Sequence, residues 1–536
     1  MKKNSGFKKT FVLLIGIMLI FAAACSKNGN VAEQESKAGS ASPSPSGSAS
    51  ATEEEKPLDI TWLRISWNPV SPDSQVEKLL SKHTNVNVKF EFAPHGEYPD
   101  KLNVRLATGD LPELFLLRPD SLVTYLDSMV GAINNGLFKD LTPIVEAPDF
   151  SDKYPNLAKI PKSLWDMAKY NGKIYSVPAN MSPEVCCGFW MRGDLLEKNN
   201  IPLPTNTDEL KAALIKLSDA PKRYGTSLDQ YLTSEHLAPA FTNIDGWAVD
   251  KDGNWLQAEY SPGYRDYLKY MNELYEAKAI DPEFMLGKLN FFEQFTNGKS
   301  ASTFFQWFTF IPSETPDPVF KFNAEAGEGA KAVLLNPIKG PKGHGMMTSR
   351  YDESLAINAK VSDGDTARIL HMIDWIISEE ARGIVKYGEN GEYRNKSDNT
   401  QTKEQEELAK KHQMDLLSSD SPYFEDDKTR YETIKQTKKV TPEGDAMVNS
   451  FLEAAKKVIA EDRNGQLNPM FTYASYSTTY MQRFGEMTTD LKDNMIKVIL
   501  GKSSLEDWDK YVASVVNSEL YQKMLGELKA AYLANQ

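Results

Sequence analysis

From Leu58 to Ile65 apolar side chains recur at Leu58, Ile60 and Trp62 between Asp59 and Thr61, in a run rich in β-favouring residues, which predicts a strand. Ser66-Trp67-Asn68-Pro69 breaks it. A helical stretch follows over Ser74–His83, and Val86, Val88, Phe90 and Phe92 then alternate with polar residues as a second strand. Tyr98–Ala107 reads as a helix stopped by Thr108-Gly109-Asp110-Leu111-Pro112, and Glu113–Leu117 as a short buried strand. Strand, helix, strand, helix, strand is the grammar of a parallel α/β sheet. Ligands bind beyond the carboxyl ends of such strands, so the loop around Trp67 and the loop Arg118-Pro119-Asp120-Ser121 fall at the ligand end.

The middle of the chain is punctuated differently. Asn171-Gly172-Lys173 is a tight turn before a strand at Ile174–Val177, and Cys187–Met191 is another strand. Thr207 is placed as the N-cap of a helix running on from Leu210. Asp250-Lys251-Asp252-Gly253-Asn254 reads as a turn between strands: its glycine comes too early for a calcium loop and no closing Glu follows. Pro262–Lys278 is an amphipathic helix. The C-terminal third is mostly helical, with helices over Met447–Ala460, Tyr480–Leu500 and Leu505–Leu533.

The first residues carry a different message. Lys2, Lys3, Lys8 and Lys9 precede an apolar run from Phe11 to Phe21, too short to span a membrane comfortably, and the run ends in Ala22-Ala23-Ala24-Cys25. That is an export signal over residues 1–24 with Cys25 as a lipidated first mature residue, Ala22 standing where Leu is commoner. Residues 25–56 are rich in Ser, Pro, Gly and Glu, with little to bury, and read as a disordered tether. Such a chain holds a folded body about 30 Å from its anchor.

The chain's 536 residues exceed one core and imply two or three lobes. The net charge is -13, and removing the four leader lysines takes it to -17, a poor field for nucleic acid or anionic membrane. Cys25, Cys186 and Cys187 are the only cysteines, so there is no disulfide framework; the adjacent pair reads as free and half-buried. The six histidines are scattered without zinc spacing, Gly340-Pro341-Lys342-Gly343-His344-Gly345 lacks the spacing of a phosphate loop, and no cofactor or metal is expected.

Several segments together resemble the family 1 extracellular solute-binding proteins, the sugar-binding lipoproteins of ABC importers. They are Leu102–Glu113, Tyr170–Pro178, Trp190–Leu196, the Pro204–Leu210 run, Leu274–Phe284, Asn336–Pro341, Asp374–Ile376 and Leu505–Trp508, in order and spacing over almost everything after residue 57. The resemblance implies a type II periplasmic-binding-protein-like α/β fold: two lobes, each a mixed or parallel sheet flanked by helices, with a helical C-terminal region. Residues 57–180 and 329–362 would form one lobe, and 181–328 and 363–536 the other. The crossings are expected near Pro178–Glu184, near Trp307–Glu328 and after Ala356–Lys360. It further implies a non-enzymatic monomer that captures an oligosaccharide between the lobes at the extracellular face of the membrane and delivers it to ABC permease subunits.

Sugars offer hydroxyl edges and C–H faces, so aromatic platforms and planar hydrogen-bonding groups are the chemistry to look for. Trp307, at the end of the strand after Gly298, is the first candidate, with core or hinge packing as its alternative. Trp67, Arg118, Asp120, Trp247 and Arg350 follow, then Tyr473 to Tyr476; Asp110 shapes its turn instead. Convergence of Arg118, Arg192 and Arg350 would point to a uronic acid. A secreted carbohydrate-active enzyme is the alternative, but it needs two carboxylates about 5–9.5 Å apart across a cleft, for which no motif is present. Trp165, Trp375 and Trp508 sit in helical patterns that mark core.

Cys25→Ser is expected to release the protein into the medium and abolish its labelling by radioactive palmitate. Undiminished label in that variant would remove the lipid anchor at this position.

Overall fold

The computed structural model describes residues 56–534 except 67–70, 95–96, 118–128, 182–184, 229–236, 287–289, 315–320, 349–350, 398–399, 418–426 and 463–467. The leader, Cys25 and almost all of the tether lie outside the described residues. In chain order the strands are β1 (Leu58–Ser66), β2 (Val86–Pro94), β3 (Leu114–Leu117), β4 (Lys169–Tyr170), β5 (Lys173–Ile174), β6 (Val177–Met181) and β7 (Val185–Arg192). They continue with β8 (Trp247–Val249), β9 (Trp255–Gln257), β10 (Ser302–Gln306), β11 (Ala332–Leu334), β12 (Ile338–Lys339), β13 (His344–Gly345), β14 (Met347–Thr348) and β15 (Tyr351–Ile357).

The first sheet has the order β2-β1-β3-β15-β6. β1 pairs in parallel with β2, Leu58 opposite Val86, and with β3, Trp62 opposite Leu114. β15 then inserts antiparallel between β3 and β6. The helices Val76–Thr84 and Tyr98–Thr108 fall where the periodicity puts them, the second closed by Gly109 at φ 71°. Tyr98 is fully buried, and its hydroxyl donates to the Leu116 carbonyl at 2.7 Å, tying the helix to β3. In the second sheet β7 is central and antiparallel, with β10 on one side and β11 and β14 on the other. Gly188 on β7 is required by packing: a side-chain carbon there would stand 2.8 Å from both Leu334 and Phe451. These two sheets anchor separate hydrophobic cores, so the fold is the two-lobed α/β architecture.

The lobe boundaries differ from the sequence expectation. Residues 329–348 belong with the second lobe, because β11 and β14 hydrogen-bond to β7. The helices Asp363–Ile376, Glu379–Tyr387 and Lys403–His412 join the first lobe, where Ile369, Leu370, Ile373, Ile384 and Leu417 lie in the core of its sheet. The helix Asp427–Lys438 returns to the second lobe through Tyr431. The chain therefore crosses between Met181 and Val185, between Thr348 and Tyr351, and between Leu417 and Asp427. On either side of the crossing expected near Trp307–Glu328, β10 and β11 both pair with β7, so among the described residues no lobe change falls there.

Smaller expectations are refined. The N-cap of the Thr207–Leu217 helix is Asn206, whose side chain accepts from the amides of Asp208 and Glu209. The long C-terminal helix is two, Leu505–Val516 and Glu519–Ala534, broken at Asn517-Ser518. Asp250 to Asn254 does turn between β8 and β9, with the Asp250 carboxylate accepting from the backbone amides of Asp252 and Asn254. Cys186 and Cys187 are joined as a disulfide, where the sequence reading left them free.

The buried Asp374 fastens its helix to the first lobe, accepting from the amides of Asn156 and Leu157 at 2.8 and 2.7 Å and from the Asn156 side chain at 2.9 Å. Asp374→Ala strands these donors and is expected to destabilise the protein by about 2–4 kcal/mol in urea titration. A change below about 0.5 kcal/mol, the range of ordinary surface substitutions, would remove Asp374 as a tie.

Candidate functional site

The site is defined by how the two sheets end. β1, β2, β3 and β6 finish at Ser66, Pro94, Leu117 and Met181, and antiparallel β15 starts beside them, Tyr351 opposite Met181. These ends form one edge of the first sheet. In the second sheet β7 begins at Val185, while β10 ends with Gln306 opposite Cys187 and β14 with Thr348 opposite Val185. The edges that the crossings join are thus the carboxyl edge of the first sheet and the Val185 edge of the second. Arg118, Asp120, Trp67 and Arg350 lie outside the described residues; their described neighbours Leu117, Ser66 and Tyr351 all stand on this edge.

Trp307 follows β10 directly and is fully buried, so its ring faces protein rather than solvent. Its indole N–H donates to Asp427 Oδ1 at 3.2 Å, and the ring packs against Phe308 and Tyr431 at 5.4 and 6.2 Å. The other oxygen of Asp427 accepts the Val185 amide at 2.9 Å. One buried carboxylate therefore joins the first residue of β7, the end of β10 and the first turn of the helix that follows the last crossing. Packing within the core of the second lobe is the role this geometry gives Trp307, in place of a ligand platform.

Trp247 is also buried, in a separate aromatic cluster with Trp255 at 6.1 Å and Tyr521 at 6.5 Å. Arg192 is committed elsewhere. It ends β7, forms two hydrogen bonds to Asp194 at 2.8 and 2.7 Å and donates to the Ala326 carbonyl. Seven residues of extended strand place it about 23 Å from Val185. It cannot converge with groups on the junction edge, so the three-arginine arrangement loses this member.

Two features escaped the sequence reading. Arg64, near the end of β1, is buried with its guanidinium 4.6 Å from the Trp62 ring centre and 5.2 Å from that of Phe90. A charged residue at the inward parity of an otherwise apolar strand was the available signal. The second is a lobe-to-lobe contact. A side-chain carbon at Gly172, in the β4–β5 turn, would lie 4.0 Å from the Tyr476 hydroxyl. Tyr476 is continued inward by Tyr473, Trp255 and Tyr532 through ring contacts of 5.6–6.2 Å.

Glu259 stands in the helical turn Ala258–Tyr260, shortly after β9. Its Oε2 is sealed from water and has no hydrogen-bond partner, though the residue as a whole is partly exposed. Burial pushes its carboxyl up to about 7, and Asp245 adds to the rise. Burial likewise raises Tyr480 and Tyr521, each further raised by Glu259.

Two lobes, carboxyl edges meeting at the crossings, and a hinge-side carboxylate define the architecture of a solute-binding protein. The chain belongs to the bacterial extracellular solute-binding protein family, whose model matches residues 68–383. Among its relatives is the polygalacturonan/rhamnogalacturonan-binding protein YtcQ of Bacillus subtilis (strain 168), 23% identical over 524 residues and 94% of each chain. Another is lipoprotein LipO of the same organism, 21% identical over 348 residues, or 60% of this chain and 65% of that one. The fold is shared with alginate-binding protein AlgQ2 without calcium ion (TM-score 0.63, 19% identity, 89% of this chain and 98% of that one). It is shared also with an EF-hand mutant of the S. pneumoniae substrate-binding protein FusA in complex with fructo-nystose (TM-score 0.60, 15% identity, 89% and 100%).

The raised Glu259 carboxyl has a consequence for stability. Between pH 4.5 and about 7 the unfolded chain ionises this group while the folded chain still holds its proton, so stability falls as pH rises. The loss is complete above the folded value and amounts to about 3 kcal/mol at most. Glu259→Gln is expected to flatten this decline in urea titrations between pH 4.5 and 8. An unchanged pH slope would mean that the carboxyl ionises normally in place.

Proposed function

We propose that this protein is the substrate receptor of an ABC importer, anchored through Cys25 at the extracellular face of the membrane, and that it captures an acidic oligosaccharide of the polyuronate class. Capture requires the lobes to close as bodies about the crossings, with the ligand contacting both. The observation that supports the reading is that the crossings join the carboxyl edge of the first sheet to the Val185 edge of the second, so strand ends from both lobes face one junction. The polyuronate class is supported by two similarities that agree: YtcQ is named for pectic polysaccharides and AlgQ2 for alginate. Delivery to permease subunits as a monomer, without turnover, completes the proposal.

The test is a thermal-shift titration of the mature chain with trigalacturonate, trimannuronate and neutral trisaccharides. A ligand that binds the folded state raises the melting temperature with concentration, by about 2.7 kcal/mol of stabilisation at a hundredfold excess over Kd. The expected result is a rise with a uronate trimer and none with the neutral sugars, with the trimer recovered intact. Released monosaccharide would turn the assignment to a hydrolase, and a response confined to neutral sugars would overturn the acidic class.

A further inference from the structure

The disulfide between Cys186 and Cys187 begins directly after Val185, the first residue of β7. All three crossings come together at Val185. The first delivers the chain to it. Thr348, which ends β14 before the second crossing, is its strand partner. Asp427, the first described residue after the third, accepts its amide at 2.9 Å. Cys187 is buried and Cys186 half-buried.

Successive side chains of a strand point to opposite faces, so a bond between the sulfurs of neighbouring residues is at odds with a regular pleat. The ladder shows where the strand gives way. On one side Gln306 of β10 is opposite Cys187, and the Trp307 amide donates to the Cys186 carbonyl. On the other, Met347 of β14 is opposite Cys187 but Thr348 is opposite Val185, which leaves Cys186 as the extra residue of a β-bulge. We propose that Cys186–Cys187 is a reducible clasp: closed, it holds this bulge and stiffens the crossings, and reduced, it loosens them. The reductant is a dithiol. One of its thiolates attacks the half-buried Cys186 sulfur, the S–S bond breaks, and Cys187 leaves as a thiolate that takes up a proton. The second thiol then displaces Cys186, which is protonated in turn, so two electrons enter the protein and the reductant ends as a disulfide. The inference deepens the receptor reading, because closure turns on these crossings, but its test needs no ligand.

In the Cys25→Ser chain Cys186 and Cys187 are the only cysteines. Thiol titration of the denatured protein is expected to find no thiol as secreted and both after dithiothreitol. Hydrogen exchange read by mass spectrometry then compares the two folded states. On reduction the amides of Val185–Gly188 and Met347–Thr348 are expected to exchange faster by about threefold or more, while β1, β2 and β3 are unchanged. Adding Cys187→Ser gives a chain expected to exchange like the reduced one and to ignore dithiothreitol, with urea titration confirming that it is folded. Thiols that persist after treatment with oxidised glutathione would overturn the clasp. So would equal exchange in the two states, faster exchange spread through both lobes, or a response to dithiothreitol retained in the Cys187→Ser chain. Failure of the uronate titration would leave every one of these outcomes readable.

Discussion

The organisation of this protein depends on one buried carboxylate. Asp427 is the first described residue after the last crossing, and its two oxygens accept the Val185 amide, which opens β7, and the Trp307 indole, which follows β10. A buried carboxylate is unfavourable unless donors replace its water. Here the donors come from segments separated by more than a hundred residues. Three separate stretches of chain are thereby held at the place where one lobe gives way to the other. The pin belongs entirely to the second lobe, which keeps that edge stiff without welding it to the first.

That separation is repeated in the cores. The first sheet packs with Ile369, Ile373 and Leu417, whereas the second packs with Tyr264, Tyr267 and Trp508 in one cluster and Trp190, Phe310 and Phe451 in another. Each lobe buries its own apolar surface, so relative motion need not open either core. Motion about such crossings is of the hinge kind. The Gly172–Tyr476 approach lies outside this framework: it brings lobe to lobe through a glycine turn and a phenol.

Legibility followed the range of the interactions. β1, β2, β3 and their two helices were readable because alternation, helical period and the Gly109 stop are local, and each resolves to within a few residues. Lobe membership was not local. The helix Asp363–Ile376 has an apolar stripe that requires burial, but periodicity does not say which sheet receives it. The family resemblance suggested the second lobe, and Asp374 bonding to Asn156 and Leu157 decides for the first. Likewise a Trp at a strand end looks the same whether it meets a sugar or a carboxylate. Only the Asp427 partner, 120 residues away, makes Trp307 a packing group.

The tryptophans carry the same lesson to the binding site. Trp62, Trp165, Trp190, Trp247, Trp255, Trp307 and Trp508 are buried, and Trp375 is half-buried against His83 with its rings 4.8 Å apart. Their number reflects several cores to fill rather than a row of sugar platforms. Phe308 is half-buried with the Arg430 guanidinium 4.1 Å from its ring centre, and Tyr476 lies near the Gly172 turn. A ring backed by a cation and a phenol both combine an apolar face with a polar edge.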